Sequence, residues 1–273
     1  AAESVVNLVA AVGALVALRV AAAPADAGHH FGHAKAEYLS AALEGAMIAV
    51  AALVIIWQSV LRLLDPRPVE DVGIGLAISV GASVVNGLVA VVLLRAGRRH
   101  RSITLTADGR HLLTDVVTSV GVVVGVALVW LTGIDWLDPV VALLVAANIL
   151  WAGWGLLDES TSGLMDRTMD ESDNVRLAEL LSRWADDEVH FHGLRTRVAG
   201  HTSFAEVHVL VPGAWDVRRA HDLVEEVEDA LRAEYPDLRV STHIEPREDP
   251  RSYDDYEHEV PVAGPTPTPG GPS

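Results

Sequence analysis

Apolar residues fill the first 157 positions in blocks rather than in alternation. Val5–Val20, Ala46–Leu64, Val72–Leu94, Leu112–Leu131 and Val140–Leu157 are five mainly apolar stretches. A helix needs about 20 such residues to cross the hydrocarbon of a bilayer, and most of the five reach that length, so five membrane-spanning helices are predicted. The pattern then changes. Asn174–Ala185 has helical periodicity, Val189–Val198 and Phe204–Val211 are β-rich, Val217–Glu234 is a charged amphipathic helix and Leu238–Ile244 alternates as a strand. The predicted fold class is a helical membrane bundle followed by an α+β domain of order α-β-β-α-β. From Pro246 the chain turns acidic and then rich in Pro, Gly and Thr, a composition that cannot bury a core and is expected to be disordered. The expected boundaries are 1–166 for the transmembrane part, 167–246 for the soluble domain and 247–273 for the tail.

Charge divides the chain at nearly the same place. Residues 1–157 hold nine Lys and Arg against eleven Asp and Glu, a net of −2, whereas residues 158–273 hold eleven against twenty-six, a net of −15. The acidic half argues against nucleic acid as a partner, since a phosphate-binding surface needs clustered cations. Short cytoplasmic loops collect Lys and Arg. Arg95, Arg98, Arg99, Arg101 and Arg110 follow the third stretch and Arg19 and Lys35 follow the first, so those connections, and the chain after the fifth stretch, are expected in the cytoplasm. The first stretch starts at residue 1 without Met and without a charged-then-apolar leader, and one helix before it is expected to be missing.

The most informative chemistry is His111 and Asp115, four residues apart at the start of the fourth apolar stretch. At 3.6 residues per turn both point the same way, and ionisable groups within a bilayer-length helix are costly enough to mark function. Glu3 and Asn7 repeat the spacing on the first stretch. Two helices that each offer such a pair can close a four-coordinate site, the arrangement zinc prefers; the plainer reading makes Glu3 a helix-end residue in water and Asn7 a packing hydrogen-bonder. Asp26, His29 and His33 supply three ligands within eight residues, enough for a small exposed metal site or simply a solvated polar loop. In the soluble half, His192, His208, His221 and His243 sit on different predicted elements, and Glu245 shares a strand face with His243. With no cysteine in the chain, any metal is held by imidazole and oxygen ligands, which suits divalent first-row metals.

These pieces together resemble the cation diffusion facilitator family of divalent-metal/proton antiporters. The resemblance runs from about Glu3 to Glu245 and rests on His111-Leu-Leu-Thr-Asp115, on Asp26-x-x-His29-x-Phe-Gly-His33-x-Lys35-x-Glu37, on Gly193-Leu194-Arg195-Thr196-Arg197 and on His243-Ile-Glu245-Pro. The family has six helices, so the resemblance implies that the five here are its second to sixth. It implies a transport site at Glu3, Asn7, His111 and Asp115, a loop site at Asp26, His29 and His33, and a binuclear site between the cytoplasmic domains of a homodimer at His192, His208, His221, His243 and Glu245. It further implies a charge interlock of Lys35 with Asp166 and a metallochaperone-like cytoplasmic domain. Glu3 and Asn7 depart from the commoner pair, Asp or His followed by Asp.

A mechanism follows from the ligands. Metal and protons compete for imidazole and carboxylate, so loading the site releases protons and protonating His111 or Asp115 expels the ion. Alternating access turns that competition into antiport, with inward protons driving metal export across the cell membrane. Zn2+ is the favoured cargo, with Fe2+, Mn2+, Co2+ and Ni2+ as alternatives. Metal bridging two acidic cytoplasmic domains would bias the transmembrane dimer in the lipid. Two rivals stand beside this: a membrane-anchored metal sensor without flux, and an intramembrane metal-dependent hydrolase, for which Glu3 is the nearest candidate base. No phosphate-binding loop, Gly-x-Ser-x-Gly or His-Glu-x-x-His occurs, and no enzymatic activity is expected.

Overall fold

This computed structural model describes residues 2–65, 73–253 and 258–264, with side chains from residue 11 in the first helix and residue 80 in the third. The chain forms two compact units, Ala1–Met165 and Asp166–Ser273.

The first unit is five helices: α1 (Ala2–Ala21), α2 (Ala36–Leu64), α3 (Gly73–His100), α4 (Ile103–Thr132) and α5 (Leu137–Leu164). Among the described residues, α2, α4, α5 and Val80–His100 of α3 are each long and apolar enough to cross a membrane. Over its described residues every predicted apolar stretch falls on one helix, and four helices run six to ten residues further at one end. α2 starts ten residues early at Ala36, α3 continues to His100, α4 starts nine residues early at Ile103, and α5 continues seven residues to Leu164. Backbone hydrogen bonds do not depend on side-chain polarity, and Ala, Lys, Arg and Glu propagate helix well, so the helices outlast their apolar runs. All four extensions lie at one end of the bundle. A helix of 28–30 residues spans about 44 Å against a hydrocarbon thickness of about 30 Å, so those ends project.

Small residues set the helix crossings, as expected where lipid gives no hydrophobic drive between helices. A Cβ at Gly45 of α2 would sit 3.2 Å from the Gly153 carbonyl oxygen of α5, and a Cβ at Gly153 would sit 3.2 Å from both the Gly45 oxygen and the Ala49 nitrogen. Near the projecting ends, Gly163 of α5 lies against the ring of Tyr38, which packs with Ala41, Ile48 and Ile103. Between α3 and α4 the chain turns in two residues, with Arg101 at φ 50° and Ser102 capping α4 by accepting from the Leu105 amide. The buried Glu37 of α2 closes this junction: its carboxylate accepts from the Ser102 hydroxyl and, at 3.4 Å, from the Thr104 amide. A helix N-terminus favours a carboxylate. At the opposite end, Arg62 of α2 meets Asp138 of α5 at 2.6 Å.

The second unit is α6 (Glu171–Ser182), β1 (His190–Ala199), β2 (Thr202–Val211), α7 (Val217–Glu234) and β3 (Leu238–Pro246), the predicted α+β order. The sheet runs β1-β2-β3, antiparallel between β1 and β2 and parallel between β2 and β3. Ala205, Val207, Val209 and Val211 alternate along β2 into a core with Leu177 and Leu181 of α6 and Val224, Val227 and Leu231 of α7. The intervening residues, His208 among them, therefore occupy the other face.

The tail differs from expectation over residues 247–253 and 258–264. Pro250–Tyr253 is a 3-10 turn, pinned by Ser252 Oγ donating to the Pro246 carbonyl at 2.9 Å and Tyr253 OH donating to that of Arg247 at 2.7 Å. Val260 then pairs with Leu194 at the open edge of β1, with Val262 packed on the core. Average composition hides two valines that can use an unpaired strand edge.

Candidate metal sites

His111 and Asp115 stand one turn apart on α4, both half-buried within an apolar helix of 30 residues. The face is kept for them by the threonines beside them, whose hydroxyls turn back on their own helix: Thr114 donates to the Arg110 carbonyl at 3.0 Å and Thr118 to that of Thr114 at 2.9 Å. The side chains of Glu3 and Asn7 lie outside the described residues; their helix α1 packs against α2 and α4. Two further acidic groups stand near this pair. Asp108 precedes His111 by three residues and lies within charge–charge reach of it, and Glu44 of α2 lies within reach of Asp108. Sequence reading missed both. Glu44 sits two positions before an apolar stretch taken to begin at Ala46; the signal for Asp108 was the helical spacing 108, 111, 115.

Between α1 and α2, the loop residues Asp26, His29 and His33 bring ligand atoms within 4.8 Å of one another. Asp26 folds the loop upon itself, its Oδ1 accepting from the amides of Gly28 and His29, each at 2.8 Å. These amides, Gly28 first, hold the Asp26 carboxyl below its ordinary pKa, and the His29 and His33 rings add to the effect. His33 Nε2 is 3.4 Å from Asp26 Oδ2. Its other ring nitrogen, Nδ1, is buried with no hydrogen-bond partner.

Strand pairing builds the third cluster. His192 of β1 pairs with His208 of β2, and His208 with His243 of β3, so three imidazoles stand in one row across the sheet. Neighbouring ring centroids are 5.0 Å apart on each side of His208. Glu245, two residues beyond His243 and so on the same face, reaches all three: Oε2 lies 3.1 Å from His192 Nε2 and 3.2 Å from His208 Nδ1, and Oε1 lies 3.4 Å from His243 Nε2. The carboxylate is 15% exposed. Burial lowers the pKa of His208, against the pull of Glu245, and the charges of His192 and His243 lower it further. A neutral imidazole is the ligand form. After His192 the strand bulges at Gly193, whose φ of 61° suits glycine.

His221 is not brought to this row. It stands on α7, 61% exposed, 3.9 Å from Glu225, because a helix on the core side of the sheet cannot reach the opposite face. Lys35 donates to the Leu164 carbonyl at 3.2 Å within the first unit, and Asp166 meets Arg197 at 3.2 Å within the second.

Known proteins match most of the length of the chain. The family model for the cation efflux transmembrane domain matches residues 1–165, and that for the cation efflux protein cytoplasmic domain matches residues 169–247. The Synechocystis transporter sll1263 is 50% identical over 263 residues, covering 96% of this chain and 84% of its own. The cation-efflux pump FieF of Serratia proteamaculans is 30% identical over 244 residues, covering 89% of this chain and 81% of its own. A solved chain of CzrB in its Zn form is 34% identical over 30% of this chain and 92% of its own, with a TM-score of 0.28.

Proposed function

We propose that this chain, a multi-pass membrane protein that belongs to the cation diffusion facilitator family of cation efflux transporters and carries its C-terminal domain in the cytoplasm, exports Zn2+ in exchange for protons across the cell membrane. The reading is carried by one observation: a half-buried imidazole and carboxylate, His111 and Asp115, on one face of an apolar helix. In lipid such groups are kept for ions, and imidazole with oxygen ligands suits zinc better than magnesium or calcium. Glu3 and Asn7 would complete the set from α1. Metal entering the site displaces the protons of His111 and Asp115; protons arriving from outside displace the metal. A change in helix packing that exposes the pair first to one side and then to the other converts that competition into export.

Two copies act together. In each cytoplasmic domain, His192, His208, His243 and Glu245 hold regulatory metal, with His221 offered across the dimer interface. The strongly acidic domains repel one another when empty, and bridging cations relieve the repulsion. The Asp26–His29–His33 loop, on the cytoplasmic side, is a separate acceptor for incoming ions.

The test is flux. In proteoliposomes with an imposed proton gradient, Zn2+ should move and Fe2+, Mn2+, Co2+ and Ni2+ should move more slowly, and Asp115→Ala should abolish zinc movement. Metal binding at the cytoplasmic row with no flux of any cation would overturn the reading in favour of a membrane-anchored sensor, the alternative that the His192–His208–Glu245 cluster favours.

A further inference from the structure

Glu44 lies eight residues into α2, about 12 Å from the cytoplasmic end of that helix at 1.5 Å per residue. His111 lies eight residues into α4, which begins at the same end of the bundle, so the two stand at similar depth. The Glu44 side chain belongs to a residue only 3% exposed, and neither carboxylate oxygen has a hydrogen-bond partner. An ionised carboxylate in such a place is very costly.

Among the described residues, no cationic group acts on Glu44. α5 approaches α2 at this level through Gly153 and Leu157, which crowd Gly45. The titratable group in the described part of α1 is Arg19, in its last turn. From α4 comes Asp108, and among the described residues it is the titratable group that acts on Glu44. Asp108 in turn feels His111. Glu44 is buried and Asp108 half-buried, and a buried carboxyl beside a second acid is favoured in its protonated form. Among the described residues neither Glu44 nor Asp108 belongs to a group that gathers three ligand atoms within 4.8 Å. The small cation that a pair of neighbouring carboxyls suits is the proton.

We infer that Glu44, facing Asp108, is a proton-binding site separate from the metal ligands, and that it carries one of the protons exchanged for metal. This rests on the antiport reading above. When the transport site is empty of metal, Glu44 holds a proton; when a divalent cation arrives at His111 and Asp115, its field at Asp108 and Glu44 favours the carboxylate, and the proton leaves. No bond other than O–H breaks, and the proton goes to water on the side to which the site is open.

The experiment measures metal flux and proton flux together in proteoliposomes, for the wild type and for Glu44→Gln, Glu44→Asp and Asp108→Asn, from pH 5.5 to 8. Glu44→Gln should lose one proton from the proton-to-metal ratio, and the slope of log initial rate against pH should fall by about one. Glu44→Asp, which restores a carboxyl, should regain the lost proton, a result that a purely structural role for Glu44 would not give. Should Glu44→Gln fail to fold, Asp108→Asn supplies the second measurement and should flatten the same slope. A Glu44→Gln or Asp108→Asn protein with the wild-type ratio and slope overturns the inference while leaving antiport intact. Wild-type protein that moves metal without protons overturns the antiport reading and this inference with it.

Discussion

Gly163 offers the most direct measurement of how tightly the projecting helix ends are packed. A Cβ there would stand 2.3, 2.5 and 2.6 Å from Cε1, Cζ and Cδ1 of Tyr38, whereas carbon atoms in contact sit about 3.5–4.0 Å apart. The ring must retreat by about 1 Å. Tyr38 is 7% exposed and packs with Ala41 and Ile103, so it cannot swing into solvent without opening the α2–α4–α5 core. Overpacking of this kind costs about 1–3 kcal/mol, and Gly163→Ala should lose that much. Tyr38→Ala empties the same space and should lose about 3–5 kcal/mol, the range for a buried aromatic. In the double variant the added methyl enters the vacated volume and the clash disappears. Its loss should fall short of the sum of the two by about 1–3 kcal/mol. Reversible unfolding of the four proteins in mixed detergent micelles, with a denaturing surfactant as the variable, reads all three differences. If the double variant equals the sum to within about 0.5 kcal/mol, the ring does not set the crossing and the reasoning fails.

Two further outcomes concern the cytoplasmic unit. Glu245→Gln removes the carboxylate shared by His192, His208 and His243, and zinc titration should show at least about a tenfold weaker site, the loss typical of a disturbed ligand set; an unchanged dissociation constant would mean that the metal sits elsewhere. His190 and His208 are both held below the ordinary imidazole pKa, burial being the first cause in each. The unfolded chain therefore takes up protons first, near pH 6.5, so their contribution to metal-free stability is complete above that pH and is lost as pH falls through and below it. Thermal unfolding at pH 7.5 and 5.5 should show the loss, and His190→Gln should reduce it; an equal pH dependence in the variant would refute the assignment.

How much of this was legible in the sequence depends on whether the signal was local. The strands were placed to within one or two residues because alternation and turn residues bound each of them, and Val217–Glu234 was placed to the residue because its amphipathic period is unbroken. Helix ends were misplaced where hydropathy and helix part company: Ala36–Gly45 and Ile103–His111 are helical and polar enough to fall outside an apolar window. Glu44 was lost in that gap. Glu37 could be quoted as part of a motif, but its task of closing the start of α4 depends on Ser102 and Thr104, more than sixty residues away. Spacing alone put His243 and Glu245 on one face. That His192 and His208 join them, and that His221 does not, follows from strand order and register, which no window along the chain contains.

The row of histidines has a consequence for how such a chain can change over generations. His208 and His243 meet only because β2 and β3 pair in one register, and side chains alternate with a period of two. Inserting one residue between Leu238 and His243 would turn His243 and Glu245 to the helix-covered face while leaving α7 and the core of β2 untouched. The domain would lose its ligand row, and a carboxylate turned toward the apolar face would weaken it as well. Insertions in the exposed turns before Leu238 leave the register alone. Metal binding here is inherited as a reading frame of the sheet: substitutions erode it gradually, but a single-residue length change inside β3 erases it at once.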